Sequence, residues 1–278
     1  VSLDRAPRHP ALTNPRSDRV RSVRALSRRS VRSRTGLFLA EGPQSVREAV
    51  THRADHVRDV YVTPEAAERH TGILERATSA GLHVHETSPE VLAAMAETET
   101  PQGIVAVCRT PALTLHDALD ALPADAVVCV LTHVRDPGNA GTVIRGADAA
   151  GADLVVVSDA SVDVYAPKVV RSTAGSIFHV PVVIGVPVEQ ILAALGARGI
   201  RRLAADGAGT TLLPDADLAG PHAWVMGNEA WGLPEELRAR CDDVVRVPIH
   251  GLAESLNLAM AATLCLYASA GARRRGGR

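Results

Sequence analysis

Three short polar stretches in the second half of the chain hold the residues best suited to chemistry, and each follows an apolar run. The first is Asn139-Ala140-Gly141-Thr142-Val143-Ile144-Arg145. The second is Gly227-Asn228-Glu229-Ala230-Trp231-Gly232-Leu233. The third runs from Val247-Pro248-Ile249 to Glu254-Ser255-Leu256-Asn257-Leu258, where a segment begins that is apolar or small nearly all the way round to Tyr267. A helix of that composition is normally buried, so polar groups at its mouth stand out. An arginine offers a planar cationic fork, and a carboxylate, a hydroxyl and side-chain amides offer hydrogen-bonding groups. Glycines beside them let the backbone approach a ligand closely. Each group also has a plainer use, Asn139, Ser255 or Asn257 as helix caps and Arg145 as a surface arginine. One such loop is ordinary, but three at one edge of a sheet make a site.

The elements that must position these loops are strands and helices in alternation. Strands are expected at 126–131, 153–157, 180–184, 200–205, 223–226 and 244–249, and helices at 140–150, 169–177, 188–198, 234–240 and 255–270. Continuous apolar strands with intervening helices predict a parallel sheet covered on both faces. Ligands of such sheets bind at the carboxyl ends of the strands. A dinucleotide fingerprint is absent: Gly207-Ala208-Gly209 is only a fragment, followed by Thr-Thr-Leu-Leu-Pro, and reads as a turn. A Walker sequence and a zinc-deaminase signature are also missing.

The first half reads as a separate α/β unit. Residues 1–16, with Pro7, Pro10 and Pro15, predict a basic flexible arm. Residues 17–30 predict a basic amphipathic helix with Arg24, Arg28 and Arg29 on it, Arg32 following closely. Strands at 37–40, 57–62, 83–85 and 103–108 alternate with helices at 44–52, 64–80 and 89–96. The expected division is an arm at 1–16, a domain at 17–109, a linker at 110–123 and a second domain at 124–278.

Composition narrows the class. Over 278 residues, 46% hydrophobic and 22% charged content fits a globular protein, and aromatics at 3% argue against a surface of many stacking platforms. Cys108, Cys129, Cys241 and Cys265 form no C-x-x-C pair and sit in apolar patterns, which predicts buried free thiols, no metal site and a reducing, cytoplasmic setting. No apolar run reaches membrane-spanning length, so no membrane partner is expected. The formal net charge of −1 conceals ten arginines against two aspartates in the first 34 residues. The tail adds Arg273, Arg274, Arg275 and Arg278, and basic ends on a neutral body predict a polyanionic partner.

The three motifs, in this order over about residues 124–270 and with Arg171 to Pro181 between the first two, resemble those of the SpoU (TrmH-like) RNA 2′-O-ribose methyltransferases of the SPOUT superfamily. Residues 20–108 are similar to the ribosomal-protein-L30e-like substrate-binding domain often found before it. The resemblance implies an L30e-like α/β domain followed by a SPOUT α/β-knot, a parallel sheet with a deep trefoil knot, which periodicity alone would not suggest. It implies a homodimer holding S-adenosyl-L-methionine (AdoMet) at Met226, Gly227, Val247, Ile249, Leu256 and Leu258. It further implies that Arg145 activates a ribose 2′-OH and that Asn139, Glu229, Ser255 and Asn257 orient it, Asn139 coming from the opposite subunit. Arg24, Arg28, Arg29, Arg32 and Arg171 are expected on the RNA. No metal is needed. The activity so implied is AdoMet-dependent RNA 2′-O-ribose methylation, with ribosomal RNA favoured over tRNA. The alternative is a non-catalytic RNA-binding or ribosome-assembly factor on the same fold.

Overall fold

A computed structural model describes residues 11–276 and divides the chain into two compact units. The first takes the chain up to Pro111 together with Tyr165–Phe178, and the second takes Ala112–Val164 and His179 onward. The first contains α1 (Asp18–Arg24), α2 (Arg29–Thr35), β1 (Leu37–Glu41), α3 (Pro43–His52), β2 (Val57–Val62), α4 (Pro64–Arg69), α5 (Thr71–Ser79), β3 (His83–Glu86), α6 (Pro89–Met95) and β4 (Ile104–Arg109). Next in the chain come α7 (Leu115–Asp120), β5 (Val127–Leu131), α8 (Pro137–Ala150), β6 (Leu154–Ser158), α9 (Pro167–Ser172), β7 (Val182–Val186) and α10 (Val188–Ala197). The last are β8 (Arg201–Ala205), β9 (Thr211–Leu212), β10 (His222–Met226), α11 (Glu235–Arg238), β11 (Asp243–Arg246) and α12 (Leu258–Gly276).

In the second unit seven strands form one sheet in the order β7-β6-β5-β10-β8-β11-β9, and every pairing is parallel. Every residue of β5, β6 and β10 is buried, as strands covered on both faces must be. The chain runs outward through β5, β6 and β7, then crosses to β8 on the far side of β10. The strand order therefore reverses between β5 and β10, where open α/β sheets bind ligands. Met226 is in register with both Leu131 and Ala205, and Ala205 with Val245, so four strands end level at one carboxyl edge.

Two helices carry motif residues to that edge. Pro137 starts α8 and the Asp136 side chain caps it, accepting from Asn139 N at 2.7 Å, while left-handed Gly151 (φ 75°) ends it. Asn139, expected as the cap, is therefore the third residue of the helix. α12 begins at Leu258 rather than 255, with the Asn257 side chain accepting from Ala259 N at 2.9 Å. α12 packs along α8, and a Cβ on Gly146 would lie 2.8 Å from Thr263 Oγ1, so glycine permits the close approach. Below them the buried Ser269 hydroxyl meets His222 Nε2 at 2.7 Å and accepts from Trp224 Nε1 at 2.8 Å. Arg273, read as part of a basic tail, is occupied internally by Asp125, Asp153 and the Gly151 carbonyl. The third strand of the motif set stops at Arg246 instead of 249, and the run then meets Pro248, which lacks an N–H.

The first unit is built on a sheet ordered β1-β4-β2-β3, antiparallel except between β2 and β3. Its basic helix is interrupted: Arg28 is extended (φ −91°, ψ 129°), separating α1 from α2. Val20, Val23 and Leu26 are buried as the pattern required. The break exposes carbonyls without helical partners, and the Arg32 guanidinium donates to two of them, Leu26 O at 2.6 Å and Ser27 O at 2.7 Å. The single helix expected over 64–80 is likewise two, meeting at His70 just before Gly72.

Two boundaries differ from expectation. Residues 1–10 of the expected arm lie outside the described residues, but Leu12 is not loose: its N–H donates to Glu86 O at 2.9 Å and its carbonyl accepts from Ser88 N at 3.0 Å. The expected continuous domain at 124–278 is interrupted by Tyr165–Phe178, which pack with β1 through Phe38, whose ring lies 4.8 Å from Tyr165 and 6.0 Å from Phe178. The cysteines are free, and burial pushes the Cys108, Cys129 and Cys265 thiols up to about 12 and that of Cys241 to about 11. No helix among the described residues is long and apolar enough to cross a membrane.

Candidate active site

At the level strand ends lies a cavity of about 840 Å³. Its wall includes all six residues expected to hold AdoMet, namely Met226, Gly227, Val247, Ile249, Leu256 and Leu258. Glu229 and Ser255 also line it, whereas Asn139, Arg145 and Asn257 do not.

The turn after β10 makes the wall rigid. Asn228 and Gly232 exchange backbone hydrogen bonds at 3.0 and 2.9 Å, with Gly232 left-handed (φ 66°). A Cβ on Gly227 would fall 2.3 Å from the Gly232 carbonyl carbon, so only glycine fits at that point. Buried Asn228 ties this turn to the loop after β5, donating to His133 O at 2.7 Å, and its oxygen accepts from Ala230 N at 2.8 Å. Thr132 Oγ1 donates to Met226 O at 2.8 Å across the same two strands. On the other side Asp206 accepts from Leu233 N at 3.3 Å and from Arg238 Nη1 at 2.9 Å. Sequence reasoning missed Thr132, Asp136 and Asp206 as organisers, although each directly follows an apolar strand or opens a helix, the same signal that found the other residues.

The three motifs are joined by one run of hydrogen bonds within a single chain. The Glu229 carboxylate accepts from Arg135 N at 3.2 Å, Asp136 N at 3.0 Å and Asn139 Nδ2 at 3.3 Å. Asn139 Oδ1 then accepts from Asn257 Nδ2 at 2.9 Å. Carboxylate at the head of α8 also suits the positive end of the helix dipole. Asn139 meets Glu229 and Asn257 within one chain. Arg145 is on the exposed face of α8 and makes no hydrogen bond or ion pair with any described residue. The structure thus brings together Asn139, Glu229 and Asn257, and leaves Arg145 as a cation that no described residue neutralises. Ser255, at the cavity wall, has no hydrogen-bond partner among the described residues either.

Of the arginines expected on RNA, Arg24, Arg28 and Arg29 are exposed. Arg32 is not: it is buried, and its guanidinium serves the carbonyls at the α1–α2 break. Arg171 is held between Glu97 at 3.3 Å and Glu41 at 3.5 Å.

The fold and cavity define an α/β protein with a cavity between main-chain loops at the switch point of a parallel sheet and a polar cluster beside it. Residues 126–267 match the SpoU rRNA Methylase family, and residues 17–106 match the MRM3-like substrate binding domain. The chain belongs to the SpoU rRNA methylase family, with an N-terminal substrate-binding domain and a C-terminal SPOUT domain. It is 35% identical to the 23S rRNA (guanosine(2553)-2′-O)-methyltransferase RlmP of Bacillus subtilis, over 92% of this chain and 97% of that protein. It is 33% identical to the 23S rRNA (uridine(2479)-2′-O)-methyltransferase of Streptomyces viridochromogenes, over 87% and 85%. Among solved structures, the AdoMet-bound rRNA methyltransferase from Sinorhizobium meliloti superposes with a TM-score of 0.82 at 29% identity, covering 95% of this chain and 97% of that one. The SpoU methyltransferase AviRb from Streptomyces viridochromogenes with AdoMet does so at 0.82 and 31%, covering 94% and 100%.

Proposed function

We propose that this protein transfers a methyl group from AdoMet to a ribose 2′-OH of RNA, with ribosomal RNA as the substrate and the cytoplasm as its setting. The observation that carries the reading is the hydrogen-bonded run Asn257–Asn139–Glu229 at the mouth of a cavity walled by Met226-Gly227, Val247 to Ile249 and Leu256 to Leu258. Family membership and the names of the relatives support the same reading.

The cavity fits AdoMet on its own features. Its wall is mostly backbone and apolar side chain, and glycine at 227 leaves no room for a Cβ. When bound, AdoMet supplies a methyl group on a sulfonium that is both electrophile and leaving group. The chain's task is then to hold a hydroxyl in line and to ease the loss of its proton, and positioning alone can supply several kcal/mol. Glu229 holds the loop after β5 against the loop after β10, fixing the Asn139 amide. Ser255 Oγ is available to hydrogen-bond the 2′-OH. Arg145 acts as a guanidinium cation rather than as a base. It grips the phosphate beside the target ribose and lowers the 2′-OH pKa.

We also assign a homodimer and the family's knot to this chain. Met260, Leu264 and Tyr267 of α12 are exposed at helical spacing and form an apolar stripe suited to a second copy. Calorimetry with AdoMet and transfer of tritium from its labelled methyl group to an unmethylated 23S rRNA transcript test the function. Binding with transfer is expected. RNA binding without AdoMet binding would instead support a non-catalytic assembly factor.

A further inference from the structure

Trp231 is the residue of the second motif that methyl transfer, as derived above, does not use. It lies two positions after Glu229 and is 55% exposed, while its neighbours Ala230 and Gly232 line the cavity and Trp231 itself does not. Tryptophan is on average a highly buried residue, and an exposed indole offers a large rigid face to a ligand. Nor is the ring loosely held: the Asn228–Gly232 pairing fixes its backbone, and the Arg135 guanidinium lies over it with Cζ 5.6 Å from the ring centroid. Arg135 is anchored in turn, its backbone N–H donating to Glu229. Its guanidinium makes no ion pair with any described residue. A flat cation on one side of an indole stiffens it and leaves the opposite face to stack.

We infer that Trp231 and Arg135 form a stacking subsite for the nucleobase of the nucleotide whose ribose is methylated. The inference rests on the proposed function. RNA sites read by proteins are mostly unpaired loops and bulges, and a base splayed out of such a segment, one glycosidic bond from the ribose at the cavity, has lost its stacking neighbours. The indole beside Glu229 replaces them. Any base has a π face, so the subsite holds the nucleotide without reading its identity, and the positive guanidinium draws in the RNA backbone as well. Aromatics are scarce in this chain, so a single platform at the site is more telling than one among many.

The chain has two tryptophans, and the other, Trp224, is fully buried and hydrogen-bonded to Ser269, so accessible indole fluorescence reports on Trp231 alone. The full-length protein is titrated with unmethylated 23S rRNA transcript while fluorescence and acrylamide quenching are followed. RNA is expected to quench the accessible emission and to shield it from acrylamide, and W231F should abolish both changes. Trp231→Ala should raise the KM for RNA roughly five- to hundred-fold with the AdoMet Kd unchanged, Trp231→Phe should stay within about threefold of wild type, and Arg135→Gln should fall between them. Wild-type methyl transfer with no RNA-dependent quenching and an unchanged KM in W231A would overturn the subsite and leave the proposed function standing. A blue shift of the accessible emission on raising protein concentration alone would give the ring to a second copy and overturn it too. Wild-type protein that transfers no methyl group, a result read before any variant is made, would overturn the function and the subsite with it.

Discussion

The side-chain amide of Asn257 donates to the side-chain oxygen of Asn139 at 2.9 Å, joining the third motif to the first across 118 positions. Asn257 also caps α12 through its own oxygen, so one residue sets both where the C-terminal helix begins and where the Asn139 amide points. Asn139 lies outside the cavity wall, and its loss should affect chemistry rather than cofactor binding. Asn139→Ala is expected to lower kcat by about 10- to 100-fold, a typical cost of misplacing a reacting group, with the AdoMet Kd unchanged. Asn257→Ala should do the same and in addition lower stability by about 1 kcal/mol through the lost cap. Steady-state kinetics and thermal melts of the two variants separate these effects.

Glycine at 227 is required by backbone, not by a movable side chain, since a Cβ there meets Gly232 and Leu233 main-chain atoms at 2.3 to 2.6 Å. Gly227→Ala should cost about 1–3 kcal/mol of stability and most of the AdoMet affinity, because the turn forming the cavity wall must move. Gly207 lines the same cavity, but a Cβ there meets nothing within 4 Å. Gly207→Ala should therefore keep stability within about 0.5 kcal/mol of wild type. Paired melts with calorimetry check the contrast.

The arginines of the first unit divide in two. Replacing exposed Arg24, Arg28 and Arg29 by Gln should weaken RNA binding and flatten the dependence of log K on log salt by up to about 2, at roughly 0.7 per phosphate contact on single strands. Arg32→Gln should lower the melting temperature and leave the salt slope unchanged, since its guanidinium serves the Leu26 and Ser27 carbonyls. Binding isotherms at several salt concentrations distinguish the two classes.

How much of this was legible in the sequence depends on what each pattern encodes. The strand ends could be read because β5, β6 and β10 are continuous apolar runs and the sheet rule fixes where their ligand sits. The cofactor positions Met226, Gly227, Val247, Ile249, Leu256 and Leu258 came from the resemblance, and they do converge on one cavity. Arg32, just past the helix read over 17–30, was expected on the RNA with Arg24, Arg28 and Arg29, and nothing in the sequence marks a break at Arg28. The extended backbone there separates α1 from α2, and Arg32 is buried against the carbonyls that the break exposes. The surroundings of Arg171, also expected on the RNA, could not be read for another reason. Its partners Glu41 and Glu97 lie 130 and 74 positions away, and no local pattern reports a pairing at that range. The same holds for the packing of Phe38 with Tyr165 and Phe178.

Acid should weaken the fold through His222 before it reaches the carboxylates. Burial holds the His222 imidazole below its ordinary value, outweighing the opposing hydrogen bond to the Gly220 carbonyl. The unfolded chain therefore binds a proton that the folded chain does not as pH falls below about 6.5, and stability declines until the folded value is passed. Burial tends to raise the carboxyl of Asp59, but hydrogen bonds from His85 and Arg58 bring it down to about 2, and the Arg202 hydrogen bond holds Asp242 at about 2. Their contributions are present above the ordinary carboxylate value and are lost only as pH falls from there toward 2. Melting temperatures across pH 7.5 to 5 should fall for wild type and fall less steeply for His222→Gln.

The central claim is that the methyl group lands on a ribose oxygen under the control of Arg145. A 2′-O-methyl group removes the nucleophile of alkaline RNA cleavage, so the modified linkage survives base. The direct test is to label unmethylated 23S rRNA transcript with tritiated AdoMet and this protein, hydrolyse it in alkali, and ask where the label runs. Label in alkali-resistant dinucleotides is predicted for wild type, with the rate reduced by about 100-fold or more in Arg145→Ala and still well below wild type in Arg145→Lys, which keeps charge but loses the fork. Label in mononucleotides, marking a methylated base, or an Arg145→Ala variant as fast as wild type, would contradict it.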